Sequence, residues 1–425
     1  MTRGIDLRQL WSLAERLAPR LATAVVSLLL AAFVAPSDVG VYALGIVALT
    51  LVQAFSDVGL RQSLLLHWRD SRALPFYDRF ARHGRYLSFA AMVLLIALIA
   101  VTTGAPSRRF AELLPLAAVP VVAMLSLPWM VALQAGGEWR RASTAQGVGA
   151  LSGLALSVPV LVATRSIVAG SLQLLLAEVV TLVMARASAR RLPDAPKEPG
   201  LASIAHDCAV TSGYAAMGWG QSQADRLLVG AVAGTGVLGL YSFASQVSRS
   251  LAEAAAQGAG AVLRADLGAL DPRDSRGIRE AADRAIVRAS ALVAGLTVLS
   301  IAGAWVLSLL LDPQWAPALE VVPLMTASGL GTVAAWNMTA VLQARKIVGR
   351  AIWVRLVGIA LAVPIALSAQ TSLVLAAGAV VVRELFVALL LCVACGEARP
   401  ARGMRVAGLI SVGVSVIGCM YIWIG

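Results

Sequence analysis

The sequence predicts an all-α, polytopic membrane protein of about 12–14 transmembrane helices, folded as two parallel six-helix bundles around a central cavity. Three observations predict it. The 425-residue chain is 59% hydrophobic and only 14% charged, with a mean hydropathy of +0.80, whereas a soluble domain runs at about 45–50% and about 25%. Its apolar runs are long and continuous rather than alternating, which argues for spanning helices over strands. Its two halves repeat a set of short motifs in the same order. This composition excludes a cytosolic enzyme, a secreted disulfide scaffold and a disordered chain.

A helix needs about 20 mostly apolar residues to cross a bilayer. Thirteen stretches qualify, near 12–35, 40–66, 86–104, 111–135, 144–164, 167–186, 204–231, 237–262, 287–311, 318–343, 350–368, 371–395 and 405–424. The basic N-terminal stretch is followed by no small-residue cleavage site, so it reads as a retained first span rather than a signal peptide. The basic residues sort between alternate connections: 28 lie on one side, and only Arg108, Arg109 and Arg165 on the other. The positive-inside rule then puts the N-terminus and the Arg-rich connections in the cytoplasm. The net charge of +12 is thereby an orientation device and calls for no nucleic-acid partner. The longest connections, 67–85 and 264–288, mix Arg with apolar residues and suit either an amphipathic segment on anionic lipid or a solvated loop.

The repeat is carried by four matches. Val39-Gly40-Val41-Tyr42 returns as Leu238-Gly239-Leu240-Tyr241, and Glu112-Leu113-Leu114-Pro115-Leu116 as Glu320-Val321-Val322-Pro323-Leu324. Trp129 returns as Trp336, and Leu133-Gln134-Ala135 as Leu342-Gln343-Ala344. Six spans per repeat is an even number, so both halves insert the same way up, as parallel repeats with the substrate site between them do. The implied organisation is a first bundle over 1–196, a second over 197–396 and an additional span over 397–425.

Charges inside spans are expensive, at about 2.5–3.5 kcal/mol each on insertion scales, so each should face a partner or a wet cavity. Nine stand there: Asp57, Arg61, Glu178, Asp225, Arg226, Arg249, Glu253, Arg383 and Glu384. Arg20 lies nearer the cytoplasmic end of the first span. The arginines are candidates for an anionic substrate, because guanidinium forks match phosphate oxygens. Arg249 and Arg383, nearest mid-span, lead Arg61, Arg20 and Arg226. The acids Asp57, Glu178, Asp225, Glu253 and Glu384 are candidates for coupling or for ion pairs that fix helix register. The spacing allows Arg249 to pair with Glu253, and Asp57 with Arg61. Asp225-Arg226 and Arg383-Glu384 are adjacent, so their side chains diverge by about 100° and should meet other helices. Small-residue spacing at Gly149 and Gly153 suggests close helix packing. Pro120, Pro128, Pro159 and Pro364 suggest kinks. The four cysteines, Cys208, Cys392, Cys395 and Cys419, read as small apolar residues, and the glycosylation pattern at Asn337 lies inside a span.

Ser37-Asp38-Val39-Gly40-Val41-Tyr42 with Phe55-Ser56-Asp57-Val58-Gly59-Leu60 resembles the opening signature of bacterial polysaccharide (O-unit) flippases. Asp225-Arg226-Leu227-Leu228-Val229-Gly230 with Leu238-Gly239-Leu240-Tyr241-Ser242-Phe243-Ala244, and Gln314-Trp315-Ala316-Pro317-Ala318, extend the likeness over residues 10–395. These flippases belong to the multidrug/oligosaccharidyl-lipid/polysaccharide exporter (MOP) superfamily, whose members share the MATE-like pair of six-helix bundles. The resemblance implies transfer of polyprenyl-diphosphate-linked oligosaccharide to the outer leaflet for cell-surface polysaccharide, such as lipopolysaccharide or exopolysaccharide. It implies a place in the bacterial inner membrane and, as partners, the lipid-linked substrate, the bilayer and the polymerase or export machinery. One extra C-terminal span, rather than the pair often seen, is a departure.

Two other functions fit the same architecture less well. A drug/cation antiporter should show more unpaired acids than bases in its spans, whereas the five acids and four bases here are nearly neutral, and a peptidoglycan-precursor flippase would share this fold. A membrane-embedded glycan polymerase or ligase presents a large external loop, and every external connection here is short. The sequence holds no nucleophile–base constellation, metal set or phosphate-cradling glycine loop, so neither an enzyme nor a cofactor is expected.

Overall fold

The structure is a computed structural model that describes residues 7–55, 61, 73–104, 106–189, 201–268, 275–344, 347 and 349–395. Among them there is no strand, and ten helices are long and apolar enough to cross a membrane. The chain is a multi-pass membrane protein. Compactness divides it into two units, Met1–Gly220 and Gln221–Gly425.

The first unit contains α1 (Leu7–Phe33), α2 (Pro36–Gln53), α3 (Ala73–Thr102), the short α4 (Pro106–Leu113), α5 (Pro115–Ala135), α6 (Trp139–Thr164) and α7 (Val168–Ser188). The 68-residue α8 (Leu201–Gly268) begins in this unit and runs into the next. The Trp219 indole N–H donates to the Val47 carbonyl (3.3 Å) and to Thr50 Oγ1 (3.2 Å), which ties the start of α8 to α2. A division by compactness therefore falls within α8, whereas the sequence boundary at 196 lies outside the described residues.

The second unit adds α9 (Ser275–Leu310), α10 (Ala316–Ala327), α11 (Gly329–Ala344), α12 (Gly349–Ala360), α13 (Ala362–Thr371) and α14 (Leu373–Ala394). Counting α8 on either side of its break, each expected span as far as residue 395 has its helix. The segment at 405–424 lies outside the described residues.

The breaks have local causes. At Gly234, φ is +85° and ψ 173°, a conformation open to glycine and strained for other residues. The chain reverses there, so that residues on the two limbs hydrogen-bond to each other. The break between α12 and α13 falls at Leu361, just before Pro364, whose ring would clash with the carbonyl of Ala360. Pro120, Pro128 and Pro159 are accommodated inside α5 and α6.

Residues 73–85 are the first turns of α3, and 275–288 the first turns of α9, so the described part of each of the two longest connections is helix and not a loop. In α3 the buried stripe Tyr77, Ala81, Ser88, Met92, Ile96, Ala100 continues helically from the basic turns into the apolar span. In α9, Ile278, Ala282, Ile286, Ala289 and Val293 do the same. Packing of one face holds the helix where charge density suggests a loop.

Close approach is set by glycine. A Cβ on Gly149 would stand 2.3 Å from Thr181 Oγ1, and one on Gly153 would stand 2.4 Å from the Gln173 carbonyl oxygen, so α6 meets α7 backbone to backbone. In the second unit α14 packs against α10, α11, α12 and α13 and is its hub. A Cβ on Gly331 of α11 would lie 2.5 Å from the backbone carbon of Glu384. Cys392 and Cys395 form no disulfide and are buried in the apolar core around α14, and Asn337 is fully buried with its amide donating to Val333 O.

Gly153→Leu should destabilise the protein by about 1–3 kcal/mol through forced separation of α6 and α7. Gly147→Ala, which faces open space, should leave it unchanged. Thermal unfolding of the purified protein in detergent reads both.

Candidate functional site

The reversal at Gly234 brings the two limbs of α8 side by side, and α14 packs in the same unit. Together they bury a cluster of ionised groups around Asp225, which is fully buried. Asp225 Oδ2 accepts from the Tyr241 hydroxyl (2.8 Å), from Arg249 Nη2 (3.1 Å) and from Arg383 Nη1 (3.3 Å). Its Oδ1 accepts from the backbone N–H of Arg226 (2.9 Å). Arg249 also donates Nη1 to the Ser222 carbonyl at 2.9 Å.

Arg383 turns its other edge to its neighbour: Nε and Nη2 donate to Glu384 Oε1 at 3.1 and 2.8 Å. Glu384 Oε2 accepts from Thr332 Oγ1 at 3.3 Å. Arg226 is buried and donates to Gln223 (3.3 Å) and to Ser245 Oγ (3.4 Å) across the two limbs. Exposure separates the arginines that share Asp225: the Arg249 side chain is 27% exposed and that of Arg383 only 2%.

Eight of the ten residues singled out from the sequence can be placed, five in this cluster and three in the first unit. Asp225, Arg226, Arg249, Arg383 and Glu384 are brought together. Glu178 on α7 is half-buried, in the first unit. Arg20 and Arg61 are also half-buried in the first unit. Asp57 and the side chain of Glu253 lie outside the described residues, and with them the two expected intrahelical pairs. The partner of Arg249 in the structure is Asp225. Arg383 and Glu384 each meet another helix as expected, at Asp225 and Thr332, and although adjacent they also pair with each other. A long guanidinium stem spans the angular divergence that separates their Cα–Cβ bonds and still reaches Asp225.

Sequence reading missed Tyr241, Thr332, Ser245 and Gly331. Tyr241 was visible as a repeat position, and its counterpart Tyr42 is equally buried but has no hydrogen-bond partner among the described residues. The repeat is visible in the structure at another pair of positions. Ser166 and Ser372 each accept from the backbone N–H two residues on, Val168 and Val374, both at 3.2 Å, and so open the sixth helix of each unit. On that register Glu178 matches Glu384, while Ala177 stands opposite Arg383.

A second ionic cluster closes one end of the first unit. Glu112 accepts from Arg108 Nε (2.9 Å), Arg109 Nη1 (3.1 Å) and Ser166 Oγ (2.9 Å), and Asp38 pairs with Arg109. It staples the starts of α2 and α7 to α4 and is charge-balanced. Its repeat counterpart Glu320 is exposed, so this staple belongs to one half only. Among the described residues no group of three or more metal-ligating side chains is assembled.

The sequence profile of a polysaccharide biosynthesis protein family matches residues 29–320. No curated protein matches the chain. Among solved structures, the lipid II flippase MurJ in an inward closed conformation superposes with a TM-score of 0.67 at 12% identity, over 96% of this chain and 98% of that one. A multidrug resistance MATE family transporter of the MOP superfamily, inward-facing, gives 0.64 at 15% identity, over 99% and 96%. The Vibrio cholerae MATE transporter VcmN in its bent form gives 0.55 at 16%, over 95% and 98%. The expected MATE-like fold is thus the fold of this chain.

Removing Arg383 should strand Glu384 and unbalance Asp225. Arg383→Ala is expected to lose about 3–5 kcal/mol, as when one partner of a buried pair is deleted. Folded yield and thermal midpoint in detergent report it. Arg108→Ala, at a site 61% exposed, should shift the midpoint little.

Proposed function

The chain belongs to the polysaccharide biosynthesis protein family, and we propose that it carries polyprenyl-diphosphate-linked oligosaccharide repeat units from the cytoplasmic to the outer leaflet by alternating access. The observation that carries this reading is the gathering of three arginines, Arg226, Arg249 and Arg383, in one cluster inside spans, with Arg249 partly exposed. Guanidinium groups so gathered suit an anionic headgroup. A diphosphate offers oxygens in the geometry that guanidinium groups bind bidentately, and at membrane depth such a contact is little screened.

The family description and a fold shared with a lipid II flippase support the same direction. In this reading the polyprenyl tail stays in lipid while the headgroup and sugars move through the protein. Arg249, the most exposed arginine of the cluster, is the first headgroup contact, with Arg61, Arg20 and Arg226 as further candidates. Asp57, Glu178 and Glu253 remain candidates for coupling or pairing. The asymmetry of 28 basic residues to three supports an N-terminus in the cytoplasm of a bacterium and a place in its inner membrane. Delivery to a polymerase or export machinery at the outer face follows from the product. A drug/cation antiporter of the same fold is disfavoured because the buried acids Asp225 and Glu384 are paired with arginines.

A strain lacking the gene should accumulate lipid-linked repeat units on the cytoplasmic face and lose its surface polymer, as read by lipid extraction and polymer staining. Normal polymer with altered drug sensitivity would contradict the proposal.

A further inference from the structure

We infer that Asp225 is a built-in competitor for the transported anion: it holds Arg249 when the site is empty and recaptures it to expel the headgroup, while Arg383 never leaves. The inference rests on the reading of the chain as a carrier of an anionic lipid headgroup and assigns the release step of that same site.

Asp225 Oδ2 is oversubscribed. A carboxylate oxygen offers about two lone-pair sites, yet three donors converge on it: Tyr241, Arg249 and Arg383. One of the three is surplus, and their surroundings decide which. The Tyr241 hydroxyl is buried and makes no other hydrogen bond among the described residues. Arg383 is clamped by two further bonds to Glu384, and its departure would leave that carboxylate buried and unbalanced. Arg249 alone is partly open, and its other bond is to a neutral carbonyl.

Without Arg249, Asp225 keeps Tyr241, Arg383 and the Arg226 N–H. The first half of the repeat carries Val26, Thr50 and Ala177 at the positions matching Asp225, Arg249 and Arg383, so the device belongs to one unit. An incoming phosphate oxygen thus competes with Asp225 for one guanidinium. Binding breaks a single ion pair, and re-formation of that pair drives the headgroup out.

The test is binding of undecaprenyl diphosphate to the full chain in lipid nanodiscs, with equilibrium and dissociation-rate readouts. Asp225→Asn keeps an acceptor for Tyr241 but removes the rival charge. Its Kd should fall about tenfold, with a correspondingly slower dissociation. Tyr241→Phe frees a lone-pair site, strengthens the hold of Asp225 on Arg249, and should weaken binding several-fold, a test that survives should Asp225→Asn fold poorly. Arg249→Gln should remain folded and lose binding. Weaker or unchanged binding in a folded Asp225→Asn, or unchanged or tighter binding in Tyr241→Phe, overturns the inference while leaving the transport reading standing. Failure of the wild-type chain to bind the diphosphate sinks that reading and the inference with it.

Discussion

A carboxylate buried at the depth of a membrane span has to be neutralised where it stands, and most of the second unit is arranged to neutralise Asp225. The reversal at Gly234 lays one limb of α8 against the other, so that Tyr241 and Arg249 reach a side chain on the preceding limb. The hub position of α14 supplies Arg383, and the missing Cβ at Gly331 lets α11 approach the Glu384 backbone closely enough for Thr332 to complete the carboxylate. Loss of Arg383 would leave Glu384 with too few donors in a medium where an unpaired ion is very unfavourable. A polar network of this kind is stable only when nearly all its members are satisfied.

The two units solve the same packing problem with different chemistry. Each opens its sixth helix with a serine cap, Ser166 or Ser372, and each buries a tyrosine, Tyr42 or Tyr241. The first unit spends its ionic pairing at one end, where Asp38, Arg108, Arg109 and Glu112 staple three helices. Its mid-helix contacts are instead glycine against backbone, at Gly149 and Gly153. The second unit places its ion pairs inside. One half thus carries a charge-balanced staple at one end, and the other a cluster of buried ion pairs around Asp225.

The sequence exposed the helices well because hydropathy over twenty residues is a coarse signal that tertiary context rarely reverses. The twelve helical spans as far as residue 395 and the breaks near Gly234 and Pro364 were all legible. What misled was charge at helix ends: residues 73–85 and 275–288 look like loops because they are rich in arginine, yet one buried stripe continues through each. At the candidate site the charged residues announced themselves, since an ionised side chain in an apolar run is conspicuous. Their partners did not. Periodicity pairs Arg249 with Glu253, four residues on, whereas the partner found, Asp225, lies on the opposite limb and is reached only through a chain reversal. Arg383 and Glu384 show the same limit, because angular divergence at Cβ says little about where a guanidinium ends. Tyr241 and Thr332 were silent: a hydroxyl in an apolar run carries no signal until its acceptor is known.

We propose that the fold moves an anionic lipid headgroup past the arginines gathered around Asp225. Reconstitution of the purified chain into liposomes containing a fluorescent polyprenyl-diphosphate-linked oligosaccharide tests it directly, with a membrane-impermeant quencher reporting leaflet exchange. The account predicts exchange that depends on the chain, is competed by unlabelled diphosphate-linked lipid and is insensitive to cationic drugs. Exchange no faster than in protein-free vesicles, together with uptake of a cationic drug by the same liposomes, would contradict it.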